Sequence, residues 1–192
     1  MSKGSSVCRG YWGFVKDPIY GYIRLTDTEK KVLDSVPVQR LRRIRQLSGA
    51  EYVYPAATHT RFEHALGTMY LAGVVVENLP ADLDESERTT LKLAALLHDV
   101  GHAPFSHLFE PLLMKYLGKT HEDMSTRVIL ESELSDILSG RGLDPKIVSK
   151  LCIGKLGSPR GAFLDQIIRS SVDVDKMDFV LRDSYHTGAG YG

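Results

Sequence analysis

The sequence predicts a mainly α-helical bundle with a small N-terminal β-hairpin, and three observations lead there. From Thr28 onward, apolar residues recur at spacings of three and four through most of the chain. One stretch, Gly13 to Leu25, instead alternates hydrophobic residues around an Asp-Pro and a glycine, which is a hairpin pattern. The 192 residues, 43% of them hydrophobic and 25% charged, are enough to bury a core without disulfides or a structural zinc. No internal repeat, low-complexity stretch or Pro/Gly/Ser linker divides the chain. Residues 1–192 therefore read as a single domain, with N-terminal helices over 25–47 and the core over 48–192.

In chain order, Val32, Leu33 and Val36, then Leu41, Ile44 and Leu47, mark two helices or one broken at Pro37. Arg61 to Leu79 forms the next, with Phe62, Ala65, Leu66, Met69, Ala72, Gly73 and Val76 on one side and Pro80 as its stop. Ser86 to Asp99 is almost purely apolar from Leu91 to Leu97, which predicts a helix buried on most sides, with Gly101 as its C-terminal cap. Beyond Pro104 a new helical turn starts, and Pro111 either kinks it or opens a second segment. Thr120 with early acids begins a helix carrying Met124, Val128, Ile129 and Leu134, and Asp144-Pro145 begins another. A last periodic stretch runs from Gly161 to Asp183 before Gly188, Gly190 and Gly192.

Composition excludes several classes of function. Zero net charge and a pI near 7.1 argue against a dedicated nucleic-acid binder, which needs a basic excess to neutralise phosphates. No window approaches the roughly 18 consecutive apolar residues that span a bilayer. Cys8 and Cys152 are too few and too far apart for a disulfide framework, and no signal peptide precedes them, so a reducing cytoplasm is expected.

The chemistry concentrates in the histidines. Four of the seven fall between positions 98 and 121, and His98-Asp99 stands where the nearly all-apolar helix ends. A carboxylate there is costly unless paired or bound to a cation, although backbone amides could satisfy the dipeptide. His64 and Asp175 lie on two other predicted helices. Together the four would make a two-His, two-Asp site with open positions, and its mixed nitrogen and oxygen donors suit one divalent ion: Mn, Fe, Co, Ni, Zn or Mg.

The order His64, His98-Asp99, Asp175 resembles the signature of the HD-domain metal-dependent phosphohydrolases. The motifs Gln39-Arg-Leu-Arg-Arg-Ile-Arg-Gln-Leu47, Arg61-Phe-Glu-His-Ala-Leu-Gly67, Leu97-His-Asp-Val-Gly-His-Ala-Pro-Phe-Ser-His107 and Asp173-Val-Asp-Lys-Met-Asp-Phe-Val-Leu-Arg-Asp183 resemble one branch in particular, the deoxynucleoside triphosphate triphosphohydrolases. The likeness runs from about Lys16 to the last residue. It implies an HD-domain helical bundle with His64, His98, Asp99 and Asp175 as metal ligands. It places Arg61, His102, His107, His121 and Lys176 around the phosphates, with Glu110 as the partner of the acid-base histidines. The implied activity is hydrolysis of a deoxynucleoside triphosphate to deoxynucleoside and inorganic triphosphate.

The same resemblance puts Gln46 and Asp183 on the sugar 3′-hydroxyl and Leu47 beneath the sugar, where it would exclude a 2′-hydroxyl. By residue type alone, Leu47 reads equally well as core and Gln46 as exposed. Phe179 stands where related enzymes often have tyrosine, and Glu110 where an animal member has aspartate. In allosteric members the residues matching Asp34, Gln39 and Arg42 read the guanine of a GTP or dGTP activator between subunits, which also implies a homo-oligomer. The Arg40, Arg42, Arg43, Arg45 run otherwise reads as a solvated helix face. Family members continue past the position of Gly192, so the chain is expected to be a fragment. The rival readings are an HD enzyme acting on a nucleoside monophosphate, a cyclic nucleotide or an alarmone, and a nucleotide-binding regulatory module without turnover.

Overall fold

A computed structural model of the chain describes residues 10–79, 82–157 and 159–190; the expectations resting on Cys8, Pro80 and Gly192 lie outside the described residues. The hairpin forms where alternation predicts it, slightly longer than expected: β1 (Tyr11–Asp17) pairs antiparallel with β2 (Gly21–Thr26), Lys16 facing Tyr22. Asp17 closes its turn, with Oδ1 accepting the amides of Ile19 and Tyr20 at 2.9 and 3.0 Å.

Thr26 ends β2 and caps α1 (Asp27–Leu33) in a reciprocal box with Glu29. Pro37 lies in the first turn of α2 (Val36–Gln39), where its missing amide costs nothing. The helix predicted through Leu41, Ile44 and Leu47 requires correction. It ends as a 3-10 turn over Arg40–Arg43, and Ile44 is extended at φ −115° and ψ 116°. The cause is tertiary: Arg61 N–H donates to the Ile44 carbonyl at 2.9 Å and Gln46 N–H to the His59 carbonyl at 3.1 Å, an antiparallel bridge centred on Arg45 and Thr60. Leu41 and Ile44 stay in the core, whereas Leu47 lines a cavity.

The four arginines of the run are exposed as expected, on and beside a 3-10 turn instead of an α-helix face, and two of them also reach inward. The Arg40 guanidinium donates to the carbonyls of Val100 and His102 at 2.6 and 2.8 Å, and that of Arg42 lies 3.6 Å from the centre of the Phe62 ring.

The central pair is α3 (Arg61–Asn78) and α4 (Glu85–Leu97), each opened by a capping box, Thr60 with Glu63 and Asp84 with Glu87. Phe62, Ala65, Leu66, Met69, Ala72 and Val76 of α3 are buried, as is the whole run of α4 from Leu93 to Leu97. Gly101 does not cap α4; His98 does, in right-handed helical geometry. What glycine supplies at 101 is closeness, since a Cβ there would sit 2.1 Å from the Ser125 amide nitrogen and 2.4 Å from the His121 carbonyl oxygen.

After a 3-10 turn over Ser106–Leu108, Pro111 opens a new segment, α5 (Glu110–Leu117), rather than kinking an old one. The apolar series through Leu134 divides into α6 (His121–Glu131) and α7 (Glu133–Ser139), because Ser132 is extended and caps the second helix. Helix α8 (Pro145–Cys152) follows its Asp144 cap as predicted. The last periodic stretch is likewise two helices, α9 (Pro159–Ile168) and α10 (Val174–Thr187). Asp173 makes the break by accepting the amides of Ser170 and Lys176 at 2.9 and 2.8 Å. Helix α3 packs against both α4 and α10, while α4 and α6 flank α8. The ends of α3, α4 and α10 thereby meet in one place.

Adding a methyl group at the Gly101 contact forces α6 away from the α4 terminus. Gly101→Ala is expected to lower stability by about 3 kcal/mol, seen as a lower urea midpoint at unchanged denaturant dependence.

Candidate metal centre

His64 projects from the first turns of α3, His98 and Asp99 end α4, and Asp175 stands in the first turn of α10. Their ligand atoms converge. His64 Nε2 lies 3.2 Å from His98 Nε2, 3.1 Å from Asp175 Oδ1 and 3.8 Å from Asp99 Oδ2. His98 Nε2 is 3.5 Å from Asp99 Oδ1 and 3.6 Å from Asp175 Oδ1.

The donor set fits a cation by its hydrogen bonds. His64 Nδ1 is held by Asp178 Oδ2 at 2.8 Å and His98 Nδ1 by the Ala95 carbonyl at 2.7 Å, which keeps the Nδ1 protons in place. Both Nε2 lone pairs then face each other and two carboxylates, an arrangement that a positive charge must occupy. In the metal-free protein that charge is a proton. Burial opposes it, but the bonds to Asp175 and Asp178 outweigh burial and raise His64 to about 10. His98 is likewise raised against burial by Asp99 and Asp175. Asp99 and Asp175 are both driven down despite burial, Asp99 by His98 and Arg61, Asp175 by His64 and His98.

Beside this cluster stands a second group of imidazoles. His102 stacks on His121 with centroids 4.2 Å apart and planes 13° from parallel, and the His107 ring meets both edge-on. Glu110 joins two of them, accepting from His121 Nδ1 at 2.6 Å and His107 Nδ1 at 3.2 Å; despite some burial, those bonds lower it to about 2. His102, 3.4 Å from Asp99 Oδ1, is pushed down by burial to about 4 and is neutral at physiological pH.

Arg61 is fully enclosed, donating from Nε to Ser106 Oγ at 2.8 Å and pairing with Asp99. Lys176 is anchored by Asp173 Oδ2 at 2.5 Å and the Ser170 carbonyl at 2.9 Å. A cavity of ≈390 Å³ connects these groups, with Gln46, Leu47, Phe179 and Asp183 among its other lining residues. Asp34, Gln39 and Arg42 do not line it. Arg42 Nε donates to Gln39 Oε1 at 2.8 Å, and Asp34 pairs with Lys30.

Sequence reading missed the residues behind the ligands. Asp178, Arg182 and Asp17 form a buried chain: Arg182 Nε and Nη2 donate to Asp178 at 2.9 Å each and Nη1 to Asp17 Oδ2 at 2.9 Å, while Asp178 in turn holds His64. The Asp178–Arg182 spacing of four on one helix was the available signal; its link to Asp17, at the far end of the chain, left none. Ser106 and Ser125 were also missed. The latter accepts from the Gly101 amide at 2.9 Å and donates to the His98 carbonyl at 2.9 Å, which fixes the loop bearing Asp99.

Two outcomes follow from this geometry. Asp178→Asn leaves His64 without its anionic anchor and should weaken divalent-cation affinity by roughly 10- to 100-fold, read by competition with a chelating dye. Because His64 binds its proton more tightly folded (about 10) than its ordinary 6.5, that stabilisation is complete below pH 6.5 and is lost as pH rises through 10. The melting temperature of metal-free protein should therefore fall between those values, and a saturating divalent cation, which replaces the proton, should flatten the decline.

Comparison with known proteins agrees with this architecture. The HD domain family profile matches residues 61–183. A deoxynucleoside triphosphate triphosphohydrolase SAMHD1 homolog of Dictyostelium discoideum is 36% identical over 191 residues, covering 91% of this chain and 36% of the relative. A hypothetical protein from Aquifex aeolicus superposes with a TM-score of 0.84 at 39% identity, covering 93% of this chain and 47% of that one. A phosphohydrolase from Bacteroides thetaiotaomicron gives 0.80 at 31%, covering 91% and 42%. The chain spans about a third of the length of the curated relatives it matches. With residues 61–183 matched and the His, His-Asp, Asp cluster assembled from three helices, the chain belongs to the HD-domain phosphohydrolase family.

Proposed function

We propose that this chain hydrolyses deoxynucleoside triphosphates to deoxynucleoside and inorganic triphosphate, with His64, His98, Asp99 and Asp175 holding one divalent cation. The observation that carries the reading is one cavity lined by His98, Asp99 and Asp175 of the cluster, by the histidine group and by Gln46, Leu47 and Asp183. The bound cation supplies Lewis acidity, drawing charge from phosphate oxygens and acidifying water. The remaining steps belong to the protein's own groups.

Arg61 presents a buried guanidinium, fixed by Ser106 and Asp99, to the charge of a phosphate bound there. Lys176, steadied by Asp173, takes the outer phosphates as a point charge. Glu110 stays ionised and accepts the Nδ1 protons of His107 and His121, so that either ring, when it carries a second proton on Nε2, can give that proton to the departing 5′-oxygen and return to its neutral Nδ1–H form. His102, neutral and stacked on His121, orients that ring. Phe179 offers an apolar face without a hydroxyl, and Leu47, which lines the same cavity, would leave no room for a 2′-hydroxyl on the proposed substrate. Gln39 and Arg42, already bonded to each other, with Asp34 a few residues before them, support a GTP or dGTP activating site in a homo-oligomer.

The test is phosphorus NMR of metal-loaded protein with dGTP, with and without GTP. Inorganic triphosphate is the expected product, abolished in His98→Ala and Asp99→Ala; pyrophosphate or single phosphate would refute the reaction.

A further inference from the structure

Arg61, Lys176 and Arg169 line the cavity at different depths, and nothing in the reaction above uses the outermost. The Arg61 side chain is 2% exposed beside Asp99, that of Lys176 is 44% exposed, and that of Arg169, just after α9, is 56% exposed. A phosphate chain rooted at the cation-ready cluster therefore meets Arg61 first and comes to Arg169, at the mouth, only with its far end.

Arg169 is built into its place. Its aliphatic stem lies over Gly154, which has φ +64° and where an added Cβ would come 3.0 Å from Arg169 Cβ and 3.4 Å from its Cδ. The loop beyond Gly154 is tied to α9, because Asp165 accepts the Leu156 amide at 3.0 Å while its carbonyl accepts the Arg169 amide at 2.7 Å. Lys176 Nζ donates to the carbonyl of Ser170, the next residue, so the two cations share one stretch of backbone.

The guanidinium has a partner that can be displaced. Arg169 Nη1 donates to Glu122 Oε1, and Glu122, beside His121 at the start of α6, lines the same cavity. Glu122 also has a second cation: Lys155 Nζ, 67% exposed, lies 3.6 Å from its other oxygen. An ion pair this open to solvent is worth little, whereas a phosphate offers the same guanidinium fork more charge. A phosphate can thus take Arg169 while Glu122 stays neutralised by Lys155.

From this arrangement we infer that Arg169 reads the terminal phosphate of the substrate, with Glu122 as the counter-ion that this phosphate displaces, so that the cavity distinguishes a triphosphate from a monophosphate. The inference rests on the deoxynucleotide reading above and adds to it a determinant of phosphate-chain length. Arg169 and Glu122 both lie outside the four motifs that carry the family resemblance.

The experiment is calorimetric binding to metal-loaded chain at one fixed concentration of free divalent cation. The ligands are the monophosphate and triphosphate of deoxyguanosine with a methylene group in place of the 5′-oxygen, so that the bond to the α-phosphorus cannot be hydrolysed. Arg169→Gln should weaken the triphosphate about tenfold and leave the monophosphate unchanged. Glu122→Gln removes the competitor and should tighten the triphosphate about two- to fivefold. Opposite signs are the signature, since a pair that merely braced α6 against α9 would lose affinity either way and for both ligands. Arg169→Lys keeps the charge without the fork and should recover part of the loss. Equal weakening of both ligands in Arg169→Gln, unchanged or weaker triphosphate binding in Glu122→Gln, or no triphosphate binding by wild type overturns the inference. Should Arg169→Gln not fold, Glu122→Gln decides alone by the same criterion. Because nothing is cleaved, the proposed reaction can fail by phosphorus NMR while Arg169 is still judged, and Arg169 can be refuted while inorganic triphosphate is still released.

Discussion

Everything in the centre depends on the direction in which two imidazoles face. His64 and His98 could each present either nitrogen, and only the Nε2 pair meets the carboxylates of Asp99 and Asp175. The choice is made outside the site, by Asp178 for one ring and the Ala95 carbonyl for the other. Asp178 is fixed in its turn by Arg182, and Arg182 by Asp17 in the hairpin turn, with every member of that chain almost wholly enclosed. Breaking one link strands a charge in low dielectric, a loss of about 3–5 kcal/mol. Gly67 belongs to the same constraint, since a Cβ there would fall 1.8 Å from Asp178 Oδ1.

A second constraint is charge. Asp99 and Asp175 bring two negative charges into a buried corner already holding Asp178. Arg61 and Arg182 answer part of that, and protons or a cation the rest. A polyanionic ligand therefore meets a corner whose negative charge is already compensated, with Lys176 and Arg169 among the basic residues lining the cavity.

Much of this was legible in the sequence, and what was not has physical causes. Helices α3 and α4, the hairpin and the caps at Thr120 and Asp144 follow from periodicity and local hydrogen bonding, so a short window sufficed. The failures lie where distant backbone overrode local pattern: Ile44 extended by its bridge to Arg61, Ser132 dividing α6 from α7, and Asp173 dividing α9 from α10. Gly101 stands where a helix C-terminal cap is expected, yet its value is contact with α6. Within the candidate site, His98-Asp99 stands out in the sequence because the pair ends an apolar helix, whereas His64 and Asp175 are picked out by the resemblance; the structure brings the four together. The link from Arg182 to Asp17 is not legible, because an ordinary charged residue carries no mark of the partner it will meet across the fold.

The reach of those partnerships also dictates when the centre can exist. His64 waits for Asp178, 114 positions later, and Asp17 waits for Arg182, 165 positions later. A chain emerging from the ribosome therefore has its histidines long before it has the groups that aim them. Until α10 is free to dock, those nitrogens are unsorted tautomers on separate helices, with loop-closure entropy still to be overcome. An ion held jointly by His64, His98, Asp99 and Asp175 would require α10, which carries Asp175, to have docked on α3.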